Sequence, residues 1–262
     1  MTVNQDNVTA AAQRLAQAAD TGQPCEPVRD LIGRDDLDSA YAVQDVLTAR
    51  RVSGGEQVVG RKIGLTSLAV QQQLGVDRPD FGVLFGSMGH ADGVTIAAAD
   101  LMQPRVEAEI AFVLGADLVD GPLDADQVRA ATDHVVAALE VCGSRIRDWD
   151  ISFGDTVADN ASGAAFVLGT DRRSLDEVVP AQVEMTMSID GAEASTGNGA
   201  ACLGDPVEAV VWLARTARDL GEPLRAGQVI LSGALGPMRP VVAGQTVTAT
   251  LSGLGSVSVD FA

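Results

Sequence analysis

Between Gln103 and Leu114 the chain runs Gln-Pro-Arg-Val-Glu-Ala-Glu-Ile-Ala-Phe-Val-Leu, an alternation at period two that fits a strand and not a helix. As a strand it sends Val106, Ala108, Ile110 and Phe112 to one face and Glu107, Glu109 and Ala111 to the other. A chain carrying this segment must therefore build a sheet with at least one apolar face. The two glutamates point the same way, several ångströms apart, which suits a shared cation. A solvated acidic face on a half-exposed strand would give the same alternation, so the pair alone does not decide.

A third acid shifts the balance. His134 to Cys142 is a nearly continuous apolar run that holds one carboxylate, Glu140. Buried and unpaired it would be costly, so it sits at the exposed edge of its element or is compensated by a cation. Together with Glu107 and Glu109 it makes an oxygen-rich donor set for a hard ion such as Mg²⁺ or Mn²⁺. Lys62 lies between Gly60 and Gly64 in a strand-like run from Val58 to Leu65, where the glycines let a backbone or a ligand approach. An exposed strand lysine is the plainer alternative there.

The formal net charge is −18, from 36 acids against 18 bases. Such a surface repels nucleic acid and anionic headgroups, so neither is expected as a partner. An anionic small molecule would need a local positive centre, either a metal or a buried Lys or Arg. Cys25, Cys142 and Cys202 are widely spaced and indicate neither a disulfide framework nor a zinc site. With no basic n-region at the start and only short apolar runs, the expectation is a soluble cytoplasmic protein.

The chain opens with helices, Asn7 to Ala19 and Asp38 to Leu47, the second capped near Asp36 or Asp38. A soft boundary follows Ser53-Gly54-Gly55, separating a helical N-terminal part (residues 1–55) from a strand-rich catalytic domain (residues 56–262). In the second part, Ser67 to Leu74 reads as a short helix, Asp77 to Gly82 as loop, and Asp124 to Val141 as helical, capped near Asp124. Asp155 to Gly163 is polar and turn-rich, either a functional loop or ordinary turn chemistry. Strands are expected at Ala164 to Leu168 and Val183 to Ile189, with a hairpin turn at Asp190-Gly191. Pro206 to Leu220 reads as a helix, and three more strands fall at Val229 to Gly233, Val241 to Leu251 and Val257 to Phe261. Gly197 to Gly204 lacks the third glycine of a dinucleotide fingerprint and the lysine of a phosphate loop, so nucleotide binding is rejected. Blocks of helix and antiparallel strand, without regular βαβ alternation, point to an α+β fold.

Several stretches carry a family resemblance, in family order over nearly the whole chain. They are Gly60 to Ser67, Pro79 to Leu84, Pro104 to Phe112, Ser144-Arg145-Ile146, Ala158 to Ser162 and Ile230 to Gly236. The chain resembles the hydratase/decarboxylase branch of the fumarylacetoacetate hydrolase superfamily, and within it the 2-oxopent-4-enoate hydratases of aromatic-ring and steroid-ring catabolism. The resemblance implies a mixed β-sandwich or roll with a small helical N-terminal part. It implies Glu107, Glu109 and Glu140 as ligands of Mg²⁺ or Mn²⁺, and Lys62 and Asp80 as the polar residues facing the reacting carbons. Asn160 and Ser162 would hydrogen-bond the substrate carboxylate or the water. Asp80 matches the hydratase pattern, since decarboxylases of this branch tend to carry an apolar residue there. Leu68 stands where relatives often have a basic residue, which favours a monoacid substrate. His90 and His134 do not sit in the Glu–His motif of the superfamily's C–C hydrolases. The implied reaction is hydration of 2-hydroxypenta-2,4-dienoate, or a close alkyl homologue, to a 4-hydroxy-2-oxo acid. The alternatives are decarboxylation of a 2-oxo-3-enedioate and a non-catalytic partner subunit. The expected partners are the small-molecule substrate, further copies of the chain in a homo-oligomer, and a downstream aldolase.

Overall fold

The computed structural model describes residues 3–67, 71 and 76–262. Leu68, and most of the helix expected from Ser67 to Leu74, lie outside the described residues. The chain begins with helices α1 (Gln5–Thr21), α2 (Arg29–Ile32) and α3 (Leu37–Ser53). Asn4 caps α1 by accepting from the amides of Asp6 and Asn7, and Gly22 ends it at φ 65°. Asp36 caps α3. The buried stripe of these helices, including Val8, Leu15, Ile32 and Val43, packs against Ile146, Val157 and Ala158 from the second half of the chain.

Next come β1 (Val58–Gly64), β2 (Asp80–Phe85), β3 (Gly89–Ala91), β4 (Val94–Ile96) and β5 (Arg105–Leu114). Helix α4 (Ala125–Ala131) leads into β6 (Thr132–Cys142), and helix α5 (Phe153–Ala158) precedes β7 (Gly163–Leu168). The hairpin β8 (Glu184–Ile189) and β9 (Ala192–Asn198) turns at Asp190-Gly191, both at positive φ. Helix α6 (Pro206–Asp219) is followed by β10 (Val229–Leu231), β11 (Arg239–Pro240), β12 (Thr246–Leu251) and β13 (Gly255–Phe261).

The strands form two sheets. The larger runs β2-β1-β10-β5-β6-β7-β3, with β11 also paired to β5, and the smaller runs β4-β13-β12-β8-β9. The fold is α+β, with the two sheets packed face to face. Val106, Ala108, Ile110 and Phe112 of β5 enter the main core beside Met187, Val247 and Val259 of the smaller sheet and Val210 and Leu213 of α6. Ala111, on the other face of β5, belongs instead to a cluster with Val136, Ala138, Phe166 and Leu231. The alternation in β5 thus divides two cores.

Two local expectations are corrected. The helix expected from Asp124 to Val141 stops at Ala131, and Thr132 to Cys142 is a strand. Both faces of that strand are buried from Val135 on, so apart from Glu140 its sequence there is apolar and its period is hidden. Asp80, Phe81 and Gly82, expected in a loop, open β2 and pair with Gly64, Ile63 and Lys62 of β1. Among the described residues no helix is long and apolar enough to cross a membrane.

Candidate active site

The site lies on the face of the larger sheet opposite the main core. Strand register assembles it: Glu107 of β5 pairs directly with Glu140 of β6, and Glu109 faces Ala138 one step along. Parity then places Cys142 on the same face as Glu140. Lys62 of β1 sits opposite Gly82, and Asp80 opposite Gly64. Glu109, Glu140, Lys62 and Asp80 are all buried, whereas Glu107 is half-buried.

This is a costly collection of charges. Lys62 Nζ lies 3.0 Å from Glu140 Oε1. It also donates to the Ala161 carbonyl at 2.8 Å. Burial alone would lower the pKa of Lys62, but the negative charge of Glu140, with Asp80 and Glu107 behind it, holds it well above its ordinary value. Burial pushes Asp80 up to about 6, with Lys62 pulling it back and Glu140 pushing it further. Glu107 is pushed up to about 7 by burial and then by Glu140. Glu109 is raised well above the ordinary range by burial and by both neighbouring glutamates.

The hydrogen bonds leave oxygens over. Glu109 Oε2 accepts from the Gly233 amide at 2.7 Å. Glu109 Oε1, Asp80 Oδ1 and both oxygens of Glu140 are buried without a hydrogen-bond partner, so the Lys62 contact is an ion pair rather than an aligned hydrogen bond. Buried carboxylate oxygens are rarely left so unless a further ligand satisfies them. Glu107 and Glu140 bring hard oxygen donors together in a way that fits a divalent cation, and Glu109 stands one step along the sheet from them. One oxygen each of Glu107 and Glu140, and the sulfur of Cys142, lie within 4.8 Å of one another.

The glycines flanking Lys62 have specific tasks. A Cβ on Gly60 would fall 1.8 Å from the Val229 carbonyl oxygen of β10. On Gly64 it would fall 2.1 Å from Asp80 Oδ1, so the absence of a side chain there makes room for the acid.

Asn160 and Ser162 sit on a turn where Asn160, Ala161 and Ser162 all have φ between 48° and 56°. Such a left-handed run is strained for residues with a Cβ and is found where the surroundings impose it. What imposes it is the Asn160 amide, which accepts from Val83 N at 2.7 Å and donates to Val83 O at 3.0 Å. The turn thereby lies over β2 and presents the Ala161 carbonyl to Lys62. Ser162 Oγ shares a hydrogen bond of 3.2 Å with Thr156 Oγ1. A cavity of about 460 Å³ is lined by Asn160 of this turn together with Leu15, Leu47, Phe85 and Arg145. None of the three glutamates lines it, and its Arg145 is paired with Asp159.

The sequence reading missed three contributors: the Ala161 carbonyl, the Gly233 amide and Cys142. The first two are backbone groups with no side-chain signal. Cys142 was accessible, being two residues from Glu140, had the run been read as a strand.

Residues 58–262 match the model of the fumarylacetoacetate (FAA) hydrolase C-terminal family. A 2-keto-4-pentenoate hydratase of Paraburkholderia xenovorans (strain LB400) is 54% identical over 251 residues, covering 96% of this chain and 93% of the relative. The TodF product hydratase of Pseudomonas putida F1 is 50% identical, covering 97% of this chain and 95% of the relative. The solved structure of 4-oxalocrotonate decarboxylase from Pseudomonas putida G7, complexed with magnesium and adipate, superposes with a TM-score of 0.95 at 33% identity, covering 100% of this chain and 99% of that one. On the family match over residues 58–262 and the near-full-length identity to these hydratases, the chain belongs to the fumarylacetoacetate hydrolase family, in the branch that holds the 2-keto-4-pentenoate hydratases.

Proposed function

We propose that the chain hydrates 2-hydroxypenta-2,4-dienoate, the enol form of 2-keto-4-pentenoate, or a close alkyl homologue, to a 4-hydroxy-2-oxo acid. Glu107, Glu109 and Glu140 would hold Mg²⁺ or Mn²⁺. When bound, such an ion supplies a template for the substrate carboxylate and C2 oxygen and a Lewis acid at C2. The observation that carries the reading is Asp80, a buried carboxyl with one oxygen unpartnered, standing beside a lysine on the same face.

Two proton movements are required. Ketonisation carries a proton from the C2 hydroxyl to C5, and hydration then places the water oxygen on C4 and a proton on C3. Lys62, held charged by Glu140 and tethered to Ala161, is a donor and a fixed positive charge, not a base. Asp80, pushed to about 6, is the group whose proton affinity suits exchange near neutral pH. Asn160 would act through the turn it holds, and Ser162, whose hydroxyl shares a hydrogen bond with Thr156, would turn to the substrate carboxylate or the water. The 4-hydroxy-2-oxo product is a substrate for retro-aldol cleavage between C3 and C4, which makes an aldolase the natural next enzyme. The protein would work in the cytoplasm as a homo-oligomer.

Incubation with 2-hydroxypenta-2,4-dienoate, with and without Mg²⁺, tests the reading. Metal-dependent gain of one water by mass supports it. Inertness toward the dienoate, with CO₂ release from a 2-oxo-3-enedioate, overturns it in favour of decarboxylation. Asp80→Asn is expected to lower kcat by about 10²–10⁴-fold while Mg²⁺ affinity measured by calorimetry is kept. An unchanged kcat would clear Asp80 of proton transfer. Gly64→Ala, whose methyl must displace the Asp80 carboxylate, is expected to cost about 100-fold in kcat through misplacement alone. Wild-type turnover in that variant would show that the position of Asp80 is not critical.

A further inference from the structure

The Glu107–Glu140 pair has neighbours on both sides. Toward one end of the sheet the next residue on that face of β5 is Glu109; toward the other end the next on β6 is Cys142, opposite Arg105. Same-face neighbours along a strand are about 7 Å apart, so Glu109 and Cys142 flank the pair from opposite directions. Cys142 is 4% exposed, and its Sγ lies 3.7 Å from Glu107 Oε1. Glu140, fully buried, reaches the same point with oxygens that have no hydrogen-bond partner.

We infer that Glu107, Glu140 and Cys142 form a second cation subsite, selective for thiophilic divalent ions such as Cd²⁺ and Zn²⁺. It shares two carboxylates with the proposed Mg²⁺ or Mn²⁺ position but differs in its third donor. The spacing suits it: oxygen and sulfur ligands at about 2.1 and 2.3 Å from one tetrahedral ion lie about 3.6 Å apart. That is close to the observed separation of Cys142 Sγ from Glu107 Oε1. Hard ions gain little from sulfur and take the Glu109 side, whereas soft ions gain most from it and take the Cys142 side. Binding breaks the S–H bond, forms an S–metal bond and releases the proton to solvent. The nearest approach of Lys62 to Glu140 is at Oε1, and neither Glu140 oxygen has a hydrogen-bond partner, so the carboxylate keeps donor capacity for the ion. The two modes exclude each other because they use the same pair, so a thiophilic ion displaces a hard one.

The test uses metal-free full-length protein in a Cys25→Ser background, which removes the partly exposed thiol. Cys202 is enclosed, its Sγ donating to the Ser232 carbonyl. Titration with CdCl₂ is followed by the ultraviolet thiolate-to-cadmium charge-transfer band, and MgCl₂ binding by calorimetry in parallel. A saturable band is expected. Cys142→Ser should abolish it and weaken Cd²⁺ by about tenfold or more, with Mg²⁺ affinity changed by less than about twofold. Glu109→Gln should do the reverse, weakening Mg²⁺ and keeping the band. A band that survives Cys142→Ser, or Cd²⁺ affinity indifferent to that change, overturns the inference. Absence of Mg²⁺ binding beside an intact cysteine-dependent Cd²⁺ band would sink the proposed hard-ion position and leave this subsite standing.

Discussion

Glu140→Gln is expected to abolish metal-dependent turnover and to destabilise the metal-free protein as well, and the two losses have different origins. The first follows from removing one of the carboxylates proposed to hold the ion, which should weaken Mg²⁺ by more than about 100-fold, beyond what loss of an outer-shell contact costs. The second follows from Lys62. Its ammonium is buried, and Glu140 is the carboxylate that lies 3.0 Å away. Breaking a buried pair by removing one partner typically costs about 3–5 kcal/mol. The lower end applies here, because Asp80 and Glu107 still face the ammonium and because removing Glu140 relieves repulsion among the acids. Glu107→Gln, by contrast, should lose the metal and leave the Lys62 pair intact. Urea midpoints of the metal-free variants separate the two effects. Adding Lys62→Met to Glu140→Gln should recover most of the stability and none of the activity. A Glu140→Gln protein as stable as the parent would show that the ammonium has another partner.

What the sequence disclosed followed from which faces are buried against what. In β5 one face enters the main core and the other carries Glu107 and Glu109, so the alternation was visible and both face sets were read correctly. In β6, Val135, Ala137 and Leu139 enter one core while Val136 and Ala138 enter another, so the period vanished and a helix was read through Val141. The same error hid Cys142, whose facing depends on strand parity. Polar patterning left Asp155 in a turn-rich segment, functional loop or ordinary turn, whereas it lies in a helix. It is a fully buried carboxylate in α5, accepting from the amides of Val28, Arg29 and Ser152 and so tying the N-terminal helices to the second half of the chain. Asn160 illustrates a different limit. Its residue type suited a turn, but its amide is taken up by Val83, 77 residues away, and no local pattern encodes that partner. Gly60 and Gly64 were legible as sites of close approach. What approaches, a neighbouring backbone in one case and Asp80 in the other, required the register.

The metal-free protein is expected to lose stability as the pH rises from about 4 to 7, against the trend of most folded proteins, and a divalent cation is expected to cancel the loss. Asp80 sets the sign. Its pKa is raised from 3.8 to about 6 in the folded state, so the folded chain binds this proton more tightly than the unfolded chain does. The resulting stabilisation is fully present below pH 3.8 and is lost as the pH passes through 6. A shift of this size corresponds to roughly 3 kcal/mol at about 1.4 kcal/mol per unit. Glu109 acts in the same direction. Glu107, raised to about 7 but partly open to solvent, adds less than its shift alone suggests. Against this run the surface carboxylates paired with arginines, such as Asp30 with Arg14, whose pKa is lowered and whose contribution appears as the pH rises. Such exposed pairs contribute at most about 1 kcal/mol each, so the buried acids decide the slope. A cation bound between the carboxylates favours their charged forms and removes the reason for the slope. Denaturant midpoints measured at pH 4.5 and pH 7.5, with EDTA and with MgCl₂, provide the comparison. A metal-free protein more stable at the higher pH, or a slope untouched by Mg²⁺, would mean that these acids do not bear on one another as the register places them.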